Sequence, residues 1–561
     1  MVKNRKNRTL YTYRPACFSL FSRAAILLLG FGSCLSVSVP SYAKGKDTTS
    51  GTQLFAAGKF NQAHDAIAAS VKRDPKNIAL RIDLIRTSLR LDNWQNAITE
   101  AQSAITSAPQ NADAHGLMGM ALFRAGRPLK AEKEANKSLA LNPKDYWGLI
   151  AKGRVQLFNE LKGAAHETFT KAVELHPEWP DALHYLMNSF DEQTPQEEQQ
   201  KAYIAYVKLH PKGYPHDLAL DGVPWDVAAH TPSTAKKSSP VFEATGKIDA
   251  KRLKAADEGK EKPVTITFPF ERNKDDNVSV IIPLSINGVR LHLLFDTGAG
   301  HGINIAGPAA ERLNLRTLYK SYARGVSGKE ETLVARADEM KIGTQVFKNI
   351  PVHTMRNSIS PDFDGLIGGA VFEDYAVTID YETDNMILTR GKTASAPKPQ
   401  EGNHITTVAF HNIEGYIFVP LKLEDREEAE WGLLDTGCQP VGVLAYSTAH
   451  DLAKKRLDDE KLTIHVDKRI GVGTSNTGFD AILFEFPIDL GLVNNGGTPY
   501  FMQMDPIYGA TMIDTQVNHN FDFHLSVIVG IPYLAEAKRV TFDYPHHLLT
   551  MEFGPKNGSS N

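Results

Sequence analysis

Four sequence blocks occur twice in the same order, and this duplication constrains the fold more than any other feature of the chain. The first block is Ile281-Ile282-Pro283-Leu284, repeated as Phe418-Val419-Pro420-Leu421. The second is an apolar run broken by an acid and a turn residue. It reads Leu293-Leu294-Phe295-Asp296-Thr297-Gly298-Ala299, then Gly432-Leu433-Leu434-Asp435-Thr436-Gly437-Cys438. The third closes on glycine, as Asp364-Gly365-Leu366-Ile367-Gly368 and Val527-Ile528-Val529-Gly530. The fourth is Val377-Thr378-Ile379-Asp380-Tyr381, nearly repeated as Val540-Thr541-Phe542-Asp543-Tyr544. Short apolar runs bounded by Gly have the length and punctuation of buried strands. The repetition therefore predicts a duplicated β domain. One Asp-Thr-Gly alone would be an ordinary strand-to-turn junction.

At these residues the chain resembles the aspartic proteases, in the retropepsin-like form fused in tandem. The family pattern is apolar-apolar-Asp-Thr/Ser-Gly-Ala/Ser, followed later by apolar-apolar-Gly. Both halves follow it from about Pro263 to about Phe553, with Cys438 departing where the family carries a small or hydroxyl residue. The resemblance implies that Asp296 and Asp435 form a catalytic pair across a pseudo-twofold axis, each lobe supplying one carboxylate. Two facing carboxylates cannot both ionise, so one activates water while the other donates a proton. Thr297 and Thr436 would interlock the two loops, and Gly298 and Gly437 would permit the tight turns that expose the acids. Such an enzyme also closes hairpins over its substrate. The candidates are Gly325 and Gly328 in lobe one, and Gly471 and Gly473 in lobe two, against the simpler reading of ordinary surface turns.

Within the lobes, Asn287-Gly288 between two apolar runs predicts a hairpin that delivers Asp296 to the end of its strand. Ala309–Leu315 and Ala449–Leu457 are predicted helices after the catalytic loops. Asp296 to Asp380 spans 84 positions and Asp435 to Asp543 spans 108, which puts an insertion of 24 between Phe484 and Phe523. Asp380 and Asp543 follow the strands that end each lobe and are read as turn residues. His301 is read as a loop cap, His546-His547 as a turn and Cys438 as a small buried filler. No metal site and no cofactor are expected.

Before the lobes, Pro75, Pro109, Pro143, Pro177 and Pro211 stand 34 residues apart, with small residues at matching places such as Ala63, Ala97, Ala131 and Ala165. The period and the small positions resemble tetratricopeptide repeats, which imply an α-helical solenoid with a concave protein-binding groove. A spacer that binds nothing is the alternative. The fifth repeat, with Met187, Gln199 and Tyr206 at the small positions, reads as a cap. Thr231–Pro240 reads as a linker and Lys251–Lys262 as a solvated charge run.

The N-terminus has the form of an export signal. Lys3, Arg5, Lys6, Arg8, Arg14 and Arg23 precede an apolar run from Ala24 to Val39, and Ser41-Tyr42-Ala43 offers a cleavage site. An uncleaved membrane anchor is the alternative. Removing residues 1–43 changes the net charge from −3 to −9, which argues against nucleic acid as a partner. It also removes Cys17 and Cys34 and leaves Cys438 without an internal disulfide partner. An exported chain without disulfides fits a bacterial periplasm.

The expected organisation is a signal peptide at 1–43, helical repeats at 44–212 and a linker at 213–262. Protease lobe one follows at 263–392, a short linker at 393–403, lobe two at 404–554 and a tail at 555–561. The fold class is thus multidomain, an all-α solenoid before an all-β bilobal aspartic-protease-like domain. The expected function is an exported endopeptidase acting on peptide or protein substrates, with a protein partner bound through the repeat groove. The other reading is a non-catalytic assembly protein of the cell envelope.

Overall fold

The structure, a computed structural model, describes residues 48–190, 194–209, 250–300, 302–313, 315–325, 328–355, 362–413, 415–424, 429–455, 463–470, 479–485, 488–493, 500–504, 507–510 and 513–554. The signal, most of the long linker, His301, Gly471, Gly473 and the C-terminal tail lie outside these residues.

Among the described residues ten helices form the repeats. They are α1 (Thr48–Ala56), α2 (Phe60–Arg73), α3 (Ile78–Arg90), α4 (Trp94–Ser107), α5 (Ala112–Arg124), α6 (Pro128–Leu141), α7 (Tyr146–Phe158), α8 (Lys162–Leu175), α9 (Pro180–Asn188) and α10 (Gln196–Lys208). Their boundaries follow the 34-residue period at the level of single atoms. Asn77, Asn111 and Asp145 cap α3, α5 and α7, each accepting the backbone N–H three residues on, at 3.2, 2.8 and 2.6 Å. The turn inside each pair uses one left-handed residue, Gly58, Asp92, Gly126 and Glu160 in succession, with φ between 57° and 71°. Ala63, Ala97, Ala131 and Ala165 are fully buried where paired helices touch. A Cβ on Gly119 would lie 3.0 Å from that of Ala151, so only the smallest residues permit this approach.

The described residues of the β region form three sheets. Lobe one is an eight-stranded sheet. In it the predicted hairpin pairs Val280–Ile286 with Val289–Phe295, and Asn287 and Gly288 make the turn at φ 49° and 81°. The strand Gly365–Ile367 runs parallel to the end of this hairpin, and Ile303–Ile305 packs antiparallel on its other side. Lobe two repeats the arrangement: Glu430–Asp435 pairs in parallel with Val527–Gly530, which pairs antiparallel with Gly442–Ala445. A six-stranded sheet joins the lobes. At its centre the two near-identical strands pair with each other, Ala376–Asp380 against Arg539–Asp543, with Thr378 opposite Thr541. Their hydroxyls meet at 2.8 Å on the pseudo-twofold axis.

Four details differ from the sequence reading or refine it. The predicted helices are Gly307–Leu313 and Tyr446–Lys455, beginning a little earlier, the first with Pro308 in its opening turn. The supposed charge run Lys251–Lys262 begins inside a helix, Ala250–Asp257, whose Ala256 is buried in the core of the lobes. Asp257 there meets Arg390 at 3.0 Å. Asp380 and Asp543 do serve turns, accepting backbone N–H groups of Glu382, Thr383 and His546. The repeats, finally, are not set apart from the lobes. Phe123, Phe158 and their neighbours share one apolar core with Phe418, Leu433, Val443, Phe523, Leu525 and Ile528 of lobe two.

Candidate active site

Each Asp stands at the end of a buried strand. Phe295 and Leu434 are completely buried just before Asp296 and Asp435. Each carboxylate then turns onto its own loop: Gly298 N–H donates to Asp296 Oδ1 at 2.8 Å, and Gly437 N–H donates to Asp435 Oδ1 at 2.8 Å. The lobes thus make the same local structure twice.

The two loops are locked by their threonines. Thr297 Oγ1 donates to the Leu434 carbonyl at 2.8 Å and accepts the Thr436 N–H at 3.1 Å. Thr436 Oγ1 donates to the Phe295 carbonyl at 2.7 Å and accepts the Thr297 N–H at 2.9 Å. Both side chains have no exposed surface. Four hydrogen bonds between buried groups fix one loop against the other, because breaking any of them strands a donor or acceptor out of reach of water.

The glycines have a different reason from the one expected. Neither Gly298 nor Gly437 has positive φ, so the turn itself would accept other residues. What excludes a side chain is the opposite acid. A Cβ on Gly298 would sit 2.5 Å from Asp435 Cγ, and one on Gly437 would sit 2.7 Å from Asp296 Cγ. Each carboxylate lies flat against the other lobe's glycine, and this brings Asp296 and Asp435 together.

Both acids are densely surrounded, although each keeps an edge open to solvent. Burial raises the Asp296 carboxyl well above the ordinary range, helped by the Asp435 charge and by the hydrogen bond between the two. Burial also raises Asp435, against the lowering effect of that bond and of the N–H groups of Gly437 and Cys438. Both carboxyls are thus shifted toward their protonated forms. Cys438 is driven well above its usual value by burial and by the same two carboxylates, which leaves a neutral thiol and no nucleophile.

Of the candidate flap residues, Gly325 and Gly328 pair at the tip of a long hairpin, Arg316–Gly325 with Gly328–Ile342. In lobe two, Thr463–Ile470 pairs antiparallel with Phe479–Glu485, and Gly471 and Gly473 lie outside the described residues.

Residues 282–371, which include Asp296, match the family model described as aspartyl protease. Residues 82–146 match the model described as tetratricopeptide repeat. The chain carries an aspartyl protease domain and tetratricopeptide repeats. A tetratricopeptide repeat and J domain-containing co-chaperone of Fusarium oxysporum f. sp. lycopersici is 34% identical over 92 residues, 16% of this chain. The match spans 15% of that relative's length. A crystal structure of a thermophilic tetratricopeptide-repeat protein of Thermus thermophilus aligns at 20% identity, over 31% of this chain and 93% of that one, with a TM-score of 0.27. Pseudomonas aeruginosa pilF aligns at 18% identity, over 29% and 73% of the chains, with a TM-score of 0.24.

Sequence reasoning missed the groups that attach the repeats to the protease domain. Asp522 of lobe two is gripped by Arg124 and Arg154, and Glu160 holds the hairpin His411–Leu423. One signal was present: Arg90 and Arg124 occupy the same place in successive repeats, on helices that line the groove.

Proposed function

We propose that this chain is an exported aspartic endopeptidase in which Asp296 and Asp435, acting as one pair, hydrolyse peptide bonds with an activated water. The observation that carries the reading is the reciprocal seating of the two acids, each against the glycine of the other Asp-Thr-Gly loop, with the threonines interlocked beneath them.

The chemistry follows from one proton shared by two carboxyls. The ionised carboxylate takes a proton from water as its oxygen bonds to the scissile carbonyl carbon, and the protonated acid gives its proton to the carbonyl oxygen. Collapse of the tetrahedral intermediate breaks the C–N bond while one carboxyl gives its proton to the departing nitrogen and the other, ionised, takes the proton of a hydroxyl as the new carbonyl forms. The net change is addition of one water, and the pair is regenerated.

An extended peptide between the lobes would pair its backbone with the hairpin ending at Gly325 and Gly328, and with that leading to Gly471 and Gly473. The repeats would recruit the physiological target or a partner protein. Export rests on the basic-then-apolar N-terminus, and the bacterial periplasm is the compartment proposed.

The test is incubation of residues 44–561 with a diverse peptide mixture read by mass spectrometry, beside Asp296→Asn and Asp435→Asn. The reading requires cleavage by the wild-type chain and its loss, by at least about a thousandfold, in both variants. Activity near wild type in either variant would refute it.

A further inference from the structure

The repeats take hold of lobe two at two places. At the first, Asp522 enters the concave face lined by α5, α7 and α9. Arg124 Nη2 and Arg154 Nη2 each lie 2.5 Å from its carboxylate, and Tyr185 donates its hydroxyl to Oδ2 at 2.6 Å. Arg154 also donates to the Asp522 carbonyl at 2.5 Å. The two arginine side chains are 6% and 3% exposed. Asp522 sits in the left-handed region at φ 51°, which Asp adopts more readily than most side chains. Phe523, next to it, stacks on Phe158 at 5.0 Å and meets Phe123 edge-on at 5.3 Å.

At the second place, Glu160 Oε1 accepts the Asn412 N–H at 2.8 Å and pairs with His547 Nδ1 at 3.1 Å. Phe158 packs there against His411 and Trp431, at 4.4 and 4.9 Å between ring centres.

Tyr416 is connected to both anchors. It belongs to the hairpin His411–Ile413 with Tyr416–Leu423, and Phe521 packs edge-on against its ring at 5.0 Å. The same ring covers Gly300, the residue that closes the Asp296 loop at φ 58°: a Cβ there would lie 2.7 Å from Tyr416 Cζ and 2.8 Å from its hydroxyl. The neighbouring Gly415 is just as close to lobe one, where its Cβ would stand 2.9 Å from the Gly300 carbonyl and from Ala370 Cβ. A piece of lobe two, held on its far side by the helical repeats, thus forms the wall against which the lobe-one catalytic loop rests.

We infer that Tyr416 is a positioning residue for the Asp296 loop, and that the repeats hold it in place through the Asp522 anchor, so that the solenoid is a structural part of the catalytic apparatus. The inference rests on the proposed protease reading for its kinetic consequence alone; the mechanical link is separable from it. Removing the Asp522 charge would take away the carboxylate that two buried guanidinium groups share, which favours release of the loop 521–524. Phe521 would then cease to support Tyr416, and Tyr416 would cease to support Gly300.

The test uses the full chain with Asp522→Asn and Tyr416→Ala, measuring amide hydrogen exchange and, on a short peptide that the wild type cleaves, kcat and KM separately. Both variants should speed exchange at residues 296–300 at least about tenfold. Both should lower kcat about ten- to a hundredfold with KM little changed, since a misplaced acid weakens the transition state more than ground-state binding. The double variant should lose no more than Tyr416→Ala alone, because the two residues act in series. If Asp522→Asn does not fold, Tyr416→Ala decides the link between the hairpin and the loop. Faster exchange at 521–524 with wild-type exchange at 296–300 and wild-type kcat would overturn the inference. A wild-type chain that cleaves nothing would count against the protease reading, and the exchange result would still decide the mechanical link.

Discussion

Asp296 and Asp435 were legible as a facing pair because the duplicated context says that there are two such loops. Gly298 and Gly437 were legible as glycines but for the wrong reason, since the space each leaves is filled by an acid that is distant in sequence. Gly298→Ala or Gly437→Ala should accordingly abolish cleavage and destabilise the domain by about 1–3 kcal/mol, measured by peptide assay and thermal melting. The raised pKa of both acids sets two pH dependences. Activity needs one retained proton, so raising these values carries the upper limb of the rate profile toward neutrality, with an optimum expected at roughly pH 5 to 7. Ala299 offers no hydroxyl to the charged form; Ala299→Ser would supply one and should move the upper limb downward. For stability the sign is opposite to that of a salt-bridged acid. A carboxyl whose folded pKa is raised contributes most below its unfolded value, near 4, and loses that contribution as the pH rises through the folded value. Asp296→Asn, neutral throughout, should therefore melt above the wild type at pH 7, by about 2–4 °C, with the gap closing toward pH 4.

Among the elements, those specified by local chemistry were read most directly. The Asn287-Gly288 hairpin and the helix pairs follow from turn residues and a fixed period. The insertion in lobe two was visible as extra length, and part of it became the segment Ile513–Phe521 that leads into the repeat groove. Its role was hidden because its partners lie more than three hundred residues away in the chain. The matched strands that end each lobe were seen as a repetition but not as partners of each other. Their pairing makes a specific prediction. Thr541→Val leaves the Thr378 hydroxyl without its cross-axis partner and should lower the melting temperature, whereas Thr378→Val with Thr541→Val should recover most of the loss. Equal additive losses in the two substitutions would assign the stability of this sheet elsewhere.

For the whole molecule, the sequence suggested two bodies on a Pro-rich tether, and the difference has a physical origin. A 34-residue period reports which helices touch each other but carries no information about what lies against the concave face. The apolar surface of lobe two that fills that face, with Phe418, Leu433, Val443 and Phe523, reads in sequence as ordinary strand core. A chain beginning near Lys262 should therefore expose this surface, aggregate or melt early, and fail on short peptides as well as on its physiological target. The central claim, that one chain holds a complete catalytic pair, is tested most directly by mixing. Asp296→Asn and Asp435→Asn chains should each be inactive on a peptide that the wild type cleaves, and should stay inactive when combined at equal concentration. Recovery of a substantial fraction of wild-type activity on mixing would place the two acids on different chains and contradict the account.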